Sequence, residues 1–170
     1  MDRIWAPWRI EYILGVKPEK DAKGETPEQC VFCRALNHGD DIKKLIVYRG
    51  GHNFIIMNLY PYNSGHLMIM PYRHLNTLEA MNDEEMLECM VLSRKMLRVF
   101  REVMRPEGFN LGWNLGRVAG AGVLEHVHLH IVPRWNGDAN FMPLLGDTRV
   151  ISEHINETFL KLRKAVQESF

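Results

Sequence analysis

From residue 45 onward the apolar positions fall in short runs, Leu45–Tyr48, Asn53–Leu59 and His66–Pro71, broken by Gly50-Gly51 and by Asn63-Ser64-Gly65. Short apolar and β-branched runs between glycine-containing turns predict three strands in an antiparallel meander. The period then changes. Met86, Met90, Leu97, Phe100 and Met104 recur at helical spacing, Asp83 stands as N-cap ahead of Glu84 and Glu85, and Pro106 and Gly108 end the helix. Strand character returns at Phe109–Asn114 and at His126–Val132, with the glycine-rich stretch Gly116–Gly122 between them and Pro133 closing the second. Ile151, Ile155, Phe159, Leu162 and Val166 mark a C-terminal helix that Ser152 or a neighbour caps. This order predicts an α+β domain: an antiparallel sheet of about five strands, one long central helix and a C-terminal helix.

The flanks read differently. Residues 1–14 carry Trp5, Trp8 and Tyr12 among aliphatic residues, an arm able to dock on a core or a partner subunit. Gly15–Gln29 is rich in Lys, Glu, Pro and Gly without periodicity and reads as a flexible loop. A core over 30–145 and a helical tail over 146–170 complete a single domain, the expectation for a chain of 170 residues. Lys plus Arg and Asp plus Glu both total 21, so no net field draws the molecule to nucleic acid or an anionic membrane. No apolar run approaches the roughly 18 residues of a membrane span, and the first residues lack a signal-peptide core; a cytoplasmic protein is expected.

Three cysteines cannot all pair within one chain. Cys30 and Cys33 have the spacing of half a zinc site, whereas Cys89 falls in the long helix and reads as a small buried residue. In a strand, residues two apart share a face at about 6.6 Å. His126, His128 and His130 therefore form a row on one face, while Val127, Leu129 and Ile131 enter the core on the other. Such a row suits two chemistries, metal binding and the attack or holding of phosphate.

The segment His126-Val-His128-Leu-His130-Ile-Val132 resembles the His-x-His-x-His pattern of the histidine triad family of nucleotide hydrolases and transferases. Asn58–Pro71 is similar to that family's ribose-binding strand, turn and strand, and the likeness covers nearly the whole chain apart from 15–29. The aromatic arm, the Asn58–His66 turn and Trp135–Phe141 most resemble the bacterial diadenosine tetraphosphate phosphorylase branch. The resemblance implies that His128 attacks an α-phosphorus to give a nucleotidyl-histidine, with a backbone carbonyl of the triad segment fixing its other nitrogen. It implies further that His130 contacts phosphate and handles a leaving-group proton, and that Asn58 binds ribose. Asn114 and the loop amides around Gly120 and Gly122 would donate to phosphate. His66 is assigned a structural role. Cys30 and Cys33 resemble the zinc half-site of galactose-1-phosphate uridylyltransferases, which implies His74 and His126 as the remaining ligands of a structural zinc; His38 is a local alternative. The expected activity is cleavage of a dinucleoside polyphosphate by phosphorolysis or hydrolysis, in a homodimer. The alternative is a zinc-stabilised nucleotide-binding scaffold with little turnover.

Overall fold

The computed structural model describes residues 26–138 and 150–170; the aromatic arm 1–14, most of segment 15–29 and residues 139–149 lie outside them. Five strands, β1 (Ile46–Arg49), β2 (Asn53–Met57), β3 (Leu67–Pro71), β4 (Gly108–Trp113) and β5 (Leu129–Arg134), form one antiparallel sheet in the order β1-β2-β3-β5-β4. Helix α1 (Val31–Leu36) precedes the sheet, α2 (Asp83–Val103) connects β3 to β4, and α3 (Ile155–Ser169) ends the chain.

Strand alternation builds two layers of packing. Ile55, Met57, Leu67, Ile69, Leu129 and Ile131 meet Cys89, Leu92, Met96, Val99 and Phe100 of α2 and Phe159, Leu162 and Val166 of α3. Each fully buried large side chain contributes about 1.5–3 kcal/mol, so this layer anchors both long helices. Phe54, Ile56, Met68 and Met70 point the other way and pack with Cys30, Phe32, Cys33 and Ala35 in and beside α1. The sheet is thus covered on both faces, and the triad histidines lie under cover rather than on a solvated face.

Several local expectations need correction. Asn82, not Asp83, caps α2: its Oδ1 accepts from the Glu85 N–H at 2.8 Å, while the Glu85 carboxylate accepts from the Asn82 N–H at 2.9 Å. This reciprocal capping box leaves Asp83 as a first-turn acid that complements the helix dipole. The buried stripe of α2 runs through Cys89, Leu92, Met96, Val99 and Phe100, and Met90 is exposed; methionines stand on both faces and so misplace the phase. Helix α3 is capped, within the expected choice of Ser152 or a neighbour, by His154, which accepts from the Asn156 N–H, while Ser152 meets Ser64 at 3.3 Å. Residues 26–29, counted with the flexible loop, form a turn in which the Gln29 and Cys30 N–H groups donate to Thr26 O.

The turn before β3 requires its glycine. Gly65 has φ +76°, and a Cβ there would lie 3.0 Å from Phe100 Cε1. Its position against α2 sets the entry of His66 into the sheet.

Candidate active site and metal centre

Helix α1 is six residues long with no side-chain cap, too short to be stable by itself. The sulfurs at its start and within it face two imidazoles. Cys30 Sγ and Cys33 Sγ each lie 3.6 Å from His126 Nδ1, and Cys33 Sγ lies 3.4 Å from His74 Nδ1. All four donor atoms fall within 4.8 Å of one another. Bonds of about 2.0–2.3 Å at tetrahedral angles put ligand atoms roughly 3.3–3.8 Å apart, so the three S···N separations match a four-coordinate metal site, and the wider pairs, all within 4.8 Å, would draw in around an ion. His126 is prepared for it, because its Nε2–H donates to Pro71 O at 2.9 Å and leaves Nδ1 bare toward the sulfurs. Burial lowers the His126 pKa to about 4. Burial and the neighbouring Cys30 raise the Cys33 thiol to about 11, a shift that a bound cation reverses. His38 is exposed beyond the end of α1 and is not part of the cluster.

The main chain of His126 has a second use. His128 Nδ1–H donates to His126 O at 2.7 Å; a carbonyl only accepts, so the hydrogen of the neutral ring is on Nδ1 and Nε2 keeps its lone pair. Burial lowers the His128 pKa, with this hydrogen bond opposing it. Phe32 of α1 packs edge-on against both rings, centroids 5.7 Å from His126 and 5.2 Å from His128. Helix α1 therefore presses on the Cys/His cluster and on His128 with one side chain.

The hydrogen on His130 can be placed from its neighbours. The Tyr60 N–H donates to Asn58 Oδ1 at 2.9 Å, which turns Asn58 Nδ2 toward His66 Nδ1 at 3.4 Å, and the Tyr62 N–H donates to the same nitrogen at 3.0 Å. Facing two donors, His66 Nδ1 is bare. Its hydrogen is on Nε2 and donates to His130 Nδ1 at 2.8 Å, so His130 carries its own hydrogen on Nε2. Burial, then the charges of His130 and His128, push His66 down to about 3; burial and His128 push His130 down to about 4. Both rings are neutral at neutral pH, as this chain of donors requires. His130 can give a hydrogen bond there but has no free nitrogen with which to take up a proton.

His128 and His130 line a cavity of about 740 Å³, within the size range of small-molecule sites. Val31, Phe32, Ala35, Leu45, Ile56 and Met68 supply apolar lining, and Asn58 adds polar atoms beside the histidines. Asn58 is also a turn former, through its bond to Tyr60. The side-chain amide of Asn114, just past β4, lies 3.3 Å from His130 Nε2. Gly120 and Gly122 both border the cavity, but the Gly120 N–H donates to Arg117 O at 3.0 Å and closes a single 3-10 turn. The loop consumes that amide itself, so Gly120 offers the cavity an uncluttered Cα rather than the donor expected of it.

Residues 40–137 match the HIT domain. The chain belongs to the HIT family. An AP-4-A phosphorylase of Mycobacterium tuberculosis is 40% identical to this HIT protein over 158 residues, covering 93% of this chain and 80% of the relative. A HIT-like protein of Methanocaldococcus jannaschii is 34% identical over 109 residues, 64% of this chain and 81% of the relative. Among solved structures, a Zn-bound histidine triad family protein from Mycobacterium smegmatis superposes with a TM-score of 0.68 at 26% identity, over 84% of this chain and 96% of that one. A hypothetical histidine triad nucleotide-binding protein from Sulfolobus tokodaii gives 0.64 at 26% identity, over 82% and 91%.

Two residues of this HIT protein escaped sequence reasoning. His66, assigned a structural role, bonds directly to His130, and Tyr62, not singled out, stacks on it with centroids 5.5 Å apart. A signal for His66 existed: Met68 pairs with His130 across β3 and β5, and His66 precedes Met68 by one strand period. Finding it needed the register.

Proposed function

We propose that this HIT protein cleaves a nucleotide phosphoanhydride through His128, with a dinucleoside polyphosphate, diadenosine tetraphosphate, as substrate. The observation that carries the reading is the His128 Nδ1–H bond to His126 O, which leaves a lone pair on Nε2 of a ring that lines a nucleotide-sized cavity. In the first step Nε2 attacks the α-phosphorus, a P–N bond forms, and the P–O bond to the polyphosphate breaks, releasing ATP from the tetraphosphate. The Nδ1 hydrogen stays on His128, and the positive charge of the substituted ring is stabilised by the His126 carbonyl. In the second step an oxygen of inorganic phosphate attacks the same phosphorus and the P–N bond breaks, giving ADP; water in its place gives AMP. The apolar lining suits a nucleobase, Asn58 the ribose hydroxyls, and His130 Nε2–H a phosphate oxygen. The likeness to an AP-4-A phosphorylase supports phosphate as acceptor.

Zinc is the metal of this reading, held by Cys30, Cys33, His74 and His126. Bound there, it supplies a structural cross-link between α1 and the segment that carries His128. A homodimer that continues the sheet through β4 belongs to the same reading.

Incubation with diadenosine tetraphosphate, with and without inorganic phosphate, tests the chemistry. ADP with ATP only in the presence of phosphate indicates phosphorolysis, and AMP with ATP indicates hydrolysis. His128→Asn should keep AMP binding and lose turnover by on the order of 10³-fold or more; retention of rate within tenfold of the native protein would overturn the assignment.

A further inference from the structure

The hydrogen bonds around His130 close on one residue. Tyr62 gives its backbone N–H to His66 Nδ1 at 3.0 Å, and His66 Nε2–H donates to His130 Nδ1 at 2.8 Å. On the far side of His130, the structure sets Asn114 Nδ2 3.3 Å from His130 Nε2 and 3.3 Å from the Tyr62 hydroxyl, an amide assignment that the hydrogens on His130 reverse. The Tyr62 ring stacks on His130 with 23° between planes. A backbone N–H cannot become an acceptor, so the direction of every bond around the ring is decided at Tyr62.

That direction fixes the Asn114 amide. If its NH2 group faced His130, Nε2 would have to be bare and the hydrogen would move to Nδ1. His66 would then be protonated on Nδ1, against the Tyr62 N–H, with two hydrogens between atoms 3.0 Å apart. Amide oxygen and nitrogen exchange places by a half-turn of the side chain. The atom that faces both His130 Nε2–H and the Tyr62 O–H is therefore the oxygen, which accepts from each. The Asn114 NH2 is then directed away from both and is available to an acceptor such as a phosphate oxygen.

We infer that Tyr62 is a positioning residue for the phosphate side of the cavity: its backbone N–H sets which way Asn114 faces His130, its hydroxyl holds that amide in place, and its ring seats His130. The inference rests on the reading of the cavity as a nucleotide site. Tyr62 acts through Asn114 and His130, and its own hydroxyl need not touch the reacting atoms.

A double-mutant cycle tests it. Tyr62→Phe keeps the ring and the backbone N–H and removes only the hydroxyl. On diadenosine tetraphosphate it should lower kcat about tenfold with KM within about twofold, and it should cause no further loss in an Asn114→Ala background. A silent Tyr62→Phe, or losses that add independently, overturns the inference. Nitrogen-15 NMR of histidine-labelled protein gives a readout without turnover: His66 and His130 should both be protonated on Nε2 alone at neutral pH, in the native protein and in Tyr62→Phe. A hydrogen on Nδ1 of either ring also overturns it. If the native protein turns over no dinucleotide, the functional reading fails by itself; the cycle is then read on AMP affinity, where the same lack of additivity is expected.

Discussion

His66 and His130 share one hydrogen across 2.8 Å inside a covered layer, and acid threatens that arrangement in one direction. Both are held below the ordinary 6.5, at about 3 and about 4, because burial disfavours the imidazolium form, with charge on His130 and His128 adding to the effect on His66 and charge on His128 to that on His130. The folded state therefore stays neutral where the unfolded chain has begun to bind protons. Since stability falls wherever the unfolded state binds more protons, it should decline as the pH drops from about 6.5 toward about 4 and continue to decline to about 3. Urea midpoints measured across that window should fall, and His66→Gln should flatten the slope; a midpoint independent of pH between about 6.5 and 4.5 would contradict the assignment. At this scale the histidine pattern was legible, although the strand expected over His126–Val132 begins only at Leu129, so that His126 and His128 precede it and only His130 stands in β5. The hydrogen positions were not, because they depend on a carbonyl at His126 and an N–H at Tyr62 that meet the rings only after folding.

Helix α1 is the element on which the Cys/His cluster and the cavity converge. Cys30 and Cys33 provide half of the cluster, while Val31, Phe32 and Ala35 line the cavity. A six-residue helix without a side-chain cap depends on such attachments for its order. Removing metal from the loaded protein with a chelator should lower the melting temperature and weaken AMP binding several-fold, and Cys33→Ser should do the same. Unchanged AMP affinity and melting temperature after metal loss, verified by elemental analysis, would show that α1 needs no cross-link. The longer elements were largely legible. Alternating and helical periods located β1 to β5, α2 and α3 to within a few residues, yet the cap at Asn82 and the Cys89–Phe100 stripe were displaced by neighbours of similar character. Asn beside Asp, and methionine on both helix faces, are ambiguous until packing chooses between them.

At the scale of the whole molecule, the sheet order leaves β1 and β4 as its ends among the described residues. Strand β4 is exposed through Asn110, Leu111 and Gly112, and an open edge of this kind invites pairing with a second chain. Sedimentation should therefore find a homodimer at micromolar concentration, and Leu111→Arg should shift it toward monomer. A monomeric native protein would remove the dimer from the functional reading.

Sequence alone determined the order and type of the long elements, the thiol pair and the imidazole row, because each depends on residues a few positions apart. Folding decided the rest. Cys30, Cys33, His74 and His126 come together from separate segments, and His38 is left aside, because the sheet register and the placement of α1 choose which donors converge. The cavity, the hydrogens on His66, His128 and His130, and the amide that the glycine loop keeps for itself were likewise decided by contacts between distant segments or by how a loop closes. Whether a ring nitrogen donates or accepts is a property of what faces it, and only the folded chain supplies that neighbour.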